Sequence, residues 1–186
     1  MQYMGGKSRI STKVAQTIQN WGGHELTNFV SLFCGSCSIE SKVKAKNKIL
    51  NDKHPYLIAM WKGVQDGYVL PDVITDEQYQ YIKNNKDEDP CLTGFVGFGC
   101  SFGGKWFGGL ARNKKGDNYC ARANRSVIKD FELGLKDAKF LCLDYKDVHI
   151  PNNSVVYCDP PYKGTTGYTT GEFNHNEFWD YMPPLS

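Results

Sequence analysis

The sequence predicts an α/β fold, with a mainly parallel sheet, helices between its strands, and a mixed insertion in mid-chain. Three observations carry this prediction. Short apolar, β-branched runs alternate with longer stretches of helical periodicity. That alternation fails between about residues 65 and 130, where several glycines, Pro71, Pro90 and a block of basic residues gather. Finally, the continuous apolar run 154–158 reads as a strand covered on both faces, and it ends abruptly in Asp159-Pro160-Pro161-Tyr162.

The elements follow in order. From Ser8 to Trp21, the side chains Ile10, Val14, Ile18 and Trp21 recur at helical spacing, and Gly22-Gly23 closes the run. Residues 28–33 read as the first strand, 36–46 as a helix, 48–50 as the second strand and 55–64 as a helix. Residues 138–143 and 154–158 supply the third and fourth strands, and 174–182 a closing helix. The expected division is a catalytic and cofactor-binding unit of residues 1–58 and 131–186, with residues 59–130 inserted as a second unit.

Composition narrows the function classes. A chain of 186 residues accommodates one domain with a small insertion. Its apolar runs are far too short to span a bilayer. The start, Met1-Gln2-Tyr3-Met4-Gly5-Gly6, lacks the basic head and apolar body of a secretory leader. Seven cysteines without a small-scaffold spacing point to a reducing, cytoplasmic setting. The net charge is only +2, but residues 91–130 concentrate Lys105, Arg112, Lys114, Lys115, Arg122, Arg125 and Lys129 against two acids. The same block holds Phe95, Phe98, Phe102, Trp106 and Phe107, a mixture suited to nucleic-acid contact and equally to a solvated surface loop.

Chemistry concentrates where strands end. Asp159-Pro160-Pro161-Tyr162 holds an acid and a ring rigidly at the carboxyl edge of the sheet, where open α/β sheets place ligands. Such a pair suits a flat, hydrogen-bonding group, a nucleobase above all. The first strand runs into Phe33-Cys34-Gly35, a glycine turn that lets backbone approach a ligand. The second ends in Asp52, at a spacing from Gly35 typical of an acid on ribose hydroxyls; the competing role for Asp52 is a helix cap. Tyr3-Met4-Gly5-Gly6-Lys7 offers two glycines and a lysine before a helix, reading either as an anion contact or as an ordinary helix start. Cys34 and Cys37 have redox-pair spacing, but nothing nearby completes a thioredoxin-like or zinc site, so no metal is expected and packing at a tight turn is the preferred role.

Taken in order, Tyr3-x-Gly-Gly-Lys7, Phe33-x-Gly35, Asp52, a basic insertion and Asp159-Pro-Pro-Tyr162 resemble the DNA adenine methylase family across nearly the whole chain. The resemblance implies a Rossmann-like S-adenosylmethionine-dependent methyltransferase sheet carrying an inserted target-recognition domain. It implies methyl transfer from S-adenosylmethionine to the exocyclic N6 amine of a flipped adenine, with double-stranded DNA as partner, in a bacterial or phage-type host cytoplasm. Asp159, Pro160, Pro161 and Tyr162 match the catalytic motif. Tyr3, Lys7, Phe33, Gly35, Asp52, Asp144 and Asp159 match cofactor-binding positions. The insertion, with Lys105, Arg112, Lys114, Lys115, Arg122 and Arg125, is similar in character to the DNA-contacting hairpin.

Two departures accompany the match. Ser31 stands where the family often has an acid, and the chain stops soon after Tyr162, where the family's sheet continues with further strands. The expectation is therefore a C-terminally short sheet whose fourth strand leaves an edge open to a partner chain or to self-association. Two other readings stay open at this level. One is an RNA or cytosine-N4 methyltransferase of the same fold, with Asp159 in place of Ser counting against cytosine. The other is an inactive remnant that binds DNA or cofactor.

Overall fold

The computed structural model describes residues 1–116, 119–162 and 173–182. Strands β1 (Leu26–Ser31), β2 (Ala45–Asn51), β3 (Lys139–Leu141) and β4 (Ser154–Tyr157) form one sheet, parallel throughout, in the order β3-β2-β1-β4. β1 lies between two partners, with Val30 level with Ile49 on one side and Val156 on the other. Successive side chains of a strand point to opposite faces. Phe29 accordingly enters the larger core with Leu50 and Trp61, while Val30 joins Leu32, Tyr145, Val148 and Phe178 on the far face. With both faces covered, a continuous apolar run is what this strand requires. Among the described residues, no strand pairs with the second edge of β4.

The described residues form six α-helices besides the sheet: α1 (Ser11–Gly22), α2 (Pro55–Gln65), α3 (Asp76–Asn84), α4 (Pro90–Gly94), α5 (Cys120–Gly134) and α6 (His175–Tyr181). α2 begins where Pro55 supplies a preset φ and His54 Nδ1 accepts the Leu57 N–H at 3.4 Å. It lays Trp61 against Phe140 of β3, with stacked rings 6.1 Å apart. α3 carries a full capping box between Thr75 and Gln78. α6 starts under the Asn174 cap and drives Phe178 into the second core. No helix among the described residues is long and apolar enough to cross a membrane.

Two expectations are corrected. The helix expected over residues 36–46 is instead a series of turns that runs into the start of β2 at Ala45. Cys37 adopts φ of 54°, a left-handed value that no α-helix tolerates, and the Ser41 hydroxyl bonds back to the Ser38 carbonyl. The aromatic side chains of the basic block are mainly core rather than contact surface. Phe95, Phe98 and Phe107 are buried, Trp106 packs against them, and Phe102 alone of the five is strongly exposed. They bind the insertion to the sheet: α4, the π-turn Phe95–Gly99 and α5 share the larger core with β1 and β2. Residue 59 lies within α2 and residue 130 within α5, so both expected bounds of the insertion fall inside continuous helices.

Candidate active site

The carboxyl ends of all four strands open on one cavity of about 340 Å³, within the usual range for small-molecule sites. Every cofactor-type and catalytic candidate lines it: Tyr3, Lys7, Phe33, Gly35, Asp52, Asp144, Asp159, Pro160, Pro161 and Tyr162. The sheet order sets them out as a row. Asp144 follows β3, Asp52 follows β2, the Phe33–Gly35 turn follows β1 and Asp159 follows β4. At about 4.8 Å per strand spacing, the row covers roughly 14 Å.

Each position is fixed from its own loop. Asp52 accepts the Gly35 N–H at 3.0 Å and the His54 N–H at 2.9 Å, one on each carboxylate oxygen. Burial pushes its carboxyl up, and the two N–H groups pull the other way. Of the roughly four lone-pair sites on a carboxylate, two remain for a ligand. The helix cap weighed for Asp52 is instead supplied by His54; Asp52 fastens the Gly35 turn and the His54 backbone and lines the cavity. Asp144 begins the short 3₁₀ turn Tyr145–Asp147 and pairs with Lys53 at 3.0 Å. Burial acts to raise its pKa, but the bonds from Lys53 and the Lys146 N–H prevail and hold it below the ordinary carboxylate range.

Gly35 has φ of 49°, and a Cβ there would sit 3.0 Å from the Tyr3 ring. The glycine is therefore required both by backbone conformation and by the closeness of the N-terminal segment. Tyr3 in turn packs against Phe98 of the insertion, and the Met4 N–H donates to the Gly104 carbonyl at 3.1 Å. Gly104, at φ of 66°, lies so close that a Cβ would meet the Tyr3 nitrogen at 2.4 Å.

At the β4 end, the Lys7 ammonium donates to Asp159 Oδ2 at 2.6 Å and lies 4.8 Å from the centre of the Tyr162 ring. The Tyr162 hydroxyl donates to Asp159 Oδ1 at 3.1 Å. Burial lowers the Lys7 pKa, but the bonds to Asp159 and Tyr162 outweigh it and leave the pKa above the ordinary lysine value. Asp159 is thus held from both sides while half of its acceptor capacity remains open.

Three of the wall residues that sequence reasoning missed stand out. Glu40, only 3% exposed, faces the cavity from the turn after β1, and the Ser31 hydroxyl donates to its Oε1 at 2.8 Å. Burial pushes its carboxyl up to about 7. His54 and Trp106, with ring centroids 4.4 Å apart, form an aromatic wall with Phe98. Burial lowers His54 to about 4, so the ring is neutral, as its cap bond requires. The basic candidates stand elsewhere. Lys105, Arg112, Lys114, Lys115, Arg122 and Arg125 are exposed and none lines the cavity. Lys105 lies between the liners Gly104 and Trp106, whereas Arg112 is engaged by Asp76.

A parallel sheet that strings acids beside a glycine turn, and ends the row in an Asp-Pro-Pro-Tyr corner, is arranged to hold a nucleoside-bearing ligand at its carboxyl edge. The family model for D12 class N6 adenine-specific DNA methyltransferases matches residues 3–95 and 109–183, and the chain belongs to that family. Its activity is therefore methylation of adenine N6 in DNA, with S-adenosylmethionine as the methyl donor. The stretch between the two matched segments, residues 96–108, is the one that brings Phe98, Gly104 and Trp106 to the cavity.

Proposed function

We propose that Asp159, Pro160, Pro161 and Tyr162 grip an adenine rotated out of duplex DNA, and that the row from Asp144 to Lys7 holds S-adenosylmethionine beside it. The observation that carries this reading is the shared cavity: the motif acid and the two nucleoside-type acids open on one space, in sheet order. The residues suit the cofactor. Asp144 and Asp52 offer acceptors for an adenine amine and ribose hydroxyls, the Gly35 turn keeps the backbone close, and Phe33 and Phe98 supply apolar wall. When bound, S-adenosylmethionine supplies an electrophilic methyl group on a sulfonium.

The protein's own work is on the amine. Adenine N6 is a weak nucleophile because its lone pair is delocalised into the ring. It is also far too weak an acid for a carboxylate to deprotonate beforehand. The Asp159 carboxylate and the Pro160 carbonyl accept one N–H each, which turns the lone pair out of the ring plane. These acceptances strengthen as positive charge grows on nitrogen, so they favour the transition state over the ground state. Holding the amine in line with the methyl contributes up to roughly 7–11 kcal/mol in favourable cases. Rotating the base out of the stack costs a few kcal/mol. Stacking on Tyr162, which is 51% exposed and open to a base, returns about 1–3 kcal/mol.

The insertion, residues 59–130, provides the DNA-facing surface in this reading. Lys105, Lys114, Lys115, Arg122 and Arg125 contact phosphates, and Arg112 braces the surface through Asp76. The setting we propose is a cytoplasm where DNA and S-adenosylmethionine meet. Transfer of a radiolabelled methyl group tests the whole scheme: label is expected on duplexes containing adenine and absent from duplexes without it. Equal labelling of both, or of neither, sinks the assignment.

A further inference from the structure

Among the described residues, five acids line the cavity: Glu40, Asp52, Asp144, Asp159 and Glu177. The three lining lysines each pair with one, Lys7 with Asp159, Lys53 with Asp144 and Lys146 with Glu177. Glu40 and Asp52 lie outside those pairs. Asp52 sits in mid-row with both oxygens on backbone N–H groups. Glu40 sits at the other end of the row. It takes the hydroxyl of Ser31, the last residue of β1, and it interacts electrostatically with Asp159 beyond β4. A carboxylate this deeply buried is costly unless a cation or several donors meet it. Its protein donors are the Ser31 hydroxyl and the backbone N–H groups of Ile39 and Glu40. Lys48, which interacts electrostatically with Glu40, places its ammonium on the backbone carbonyls of Glu40 and Gly134.

The proposed cofactor pose, on which this inference rests, places the adenosyl part over β3 and β2 and the sulfonium beside Asp159. The methionine tail then reaches the β1–β4 end, where Glu40 lies. We propose that the Glu40 carboxylate is the counter-ion for the α-ammonium of the S-adenosylmethionine tail. The charge balance agrees. Bound S-adenosylmethionine carries a sulfonium, an ammonium and a carboxylate, a net single positive charge, and the cavity presents an excess of acid. Ser31 fits the same scheme: its hydroxyl donates to Glu40 Oε1, and with the two backbone donors about one of the roughly four acceptor positions of this cavity-lining carboxylate remains for a ligand.

Protonation gives a second readout. The groups facing Glu40 are Ser31 and Lys48 from β1 and β2, Tyr157 and Asp159 from β4 and its end, and Cys34 and Cys37 from its own loop. With its carboxyl raised to about 7, Glu40 is partly protonated near neutrality, and an incoming ammonium displaces that proton. Affinity for S-adenosylmethionine therefore rises from pH 6 toward pH 8, and binding releases protons.

Calorimetric titration of the whole chain and of Glu40→Gln tests this with three ligands. S-Adenosylmethionine and S-adenosylhomocysteine both carry the ammonium; 5′-deoxy-5′-methylthioadenosine has the nucleoside and thioether but no amino-acid tail. The variant is expected to lose about tenfold or more in affinity for the first two and to bind the third within about twofold of the unaltered chain. Its affinity should also lose the rise with pH and the proton release. Equal weakening of all three ligands marks Glu40 as structural only and overturns the proposal. So does unchanged binding of all three, or weakening confined to the sulfonium ligand. If the unaltered chain binds none of the three, the cofactor reading itself fails, and this inference with it.

Discussion

Replacing Asp159 by asparagine separates charge from shape at the corner of the site. The amide fills the same volume and keeps a carbonyl oxygen for the Tyr162 hydroxyl, but it removes the negative charge opposite Lys7. The pair spans 2.6 Å, with side chains 21% and 23% exposed. It therefore ranks above a surface ion pair, worth about 0–1 kcal/mol, and below a fully buried pair, where deleting one partner costs about 3–5 kcal/mol. A loss of about 1–2 kcal/mol in stability follows, or a fall of a few degrees in midpoint for a chain of this size. The effect on transfer is larger. Removing a single well-placed transition-state partner costs about 10²–10³ in rate, equivalent to about 2.7–4 kcal/mol. The variant thus remains folded at 25 °C while losing most of its turnover. Single-turnover methyl transfer at saturating S-adenosylmethionine measures the second effect and urea unfolding the first. Lys7→Met is the control, because it breaks the same ion pair and keeps the acceptor. It should match the stability loss while retaining most of the single-turnover rate. If Asp159→Asn turned over within about fivefold of the unaltered chain, or if Lys7→Met fell equally far, charge-assisted acceptance at Asp159 would not be the source of catalysis.

Three further outcomes are expected. Gly104→Ala forces a Cβ against the Tyr3 backbone in a left-handed conformation, so denaturant unfolding should show a loss of roughly 2 kcal/mol or more, together with weaker cofactor binding; unchanged stability contradicts the packing of the N-terminal segment. Joint replacement of Lys114 and Lys115 by alanine should weaken binding to all duplexes alike and reduce the slope of log affinity against log salt by roughly 1.8, whereas loss on one sequence alone contradicts a phosphate role. The third concerns pH. The Glu40 carboxyl is raised from 4.5 to about 7, so the folded state retains a proton that the unfolded state has released. Stability from this group is complete below pH 4.5 and is lost as pH rises through 7, an effect of about 3 kcal/mol. His54, lowered to about 4, acts oppositely, its contribution failing as pH falls below 6.5. Comparing Glu40→Gln with the unaltered chain cancels the His54 effect. Urea midpoints at pH 5 and pH 8 should shift in favour of the variant at the higher pH, and a pH-independent difference refutes the buried-carboxylate account.

The row of acids was readable from sequence because parallel strands deliver their ends to one edge. Asp52, Asp144 and Asp159 each follow an apolar run, and the sheet order brings them together without further information. Lys7 and Tyr3 were readable through the family motif, since nothing in the local pattern says that a segment before the first helix returns to meet residue 159. Glu40 was not readable. It fell within a stretch whose periodicity suggested a helix, and only the left-handed backbone at Cys37 turns that stretch inward. The aromatics of the basic block misled in the opposite direction. Composition does not distinguish a ring that stacks on a base from one that fastens an insertion to a sheet, and Phe95, Phe98 and Phe107 do the latter. Whether the second edge of β4, which no strand among the described residues pairs, serves as an association surface is tested by sedimentation over a range of concentrations.

The link between Lys7 and Asp159 joins residues 152 positions apart, and the amino group of Met1 reaches Ser126 across 125. Contacts of such separation require the largest loop closures and form only when most of the chain is already in place. The Lys7–Asp159 side of the cavity wall therefore exists only once the first and last strands of the sheet are both in place. A ligand that spans this wall binds only the finished fold and stabilises it by mass action. On the proposed pose S-adenosylmethionine is such a ligand, and the unfolding midpoint is expected to rise with its concentration.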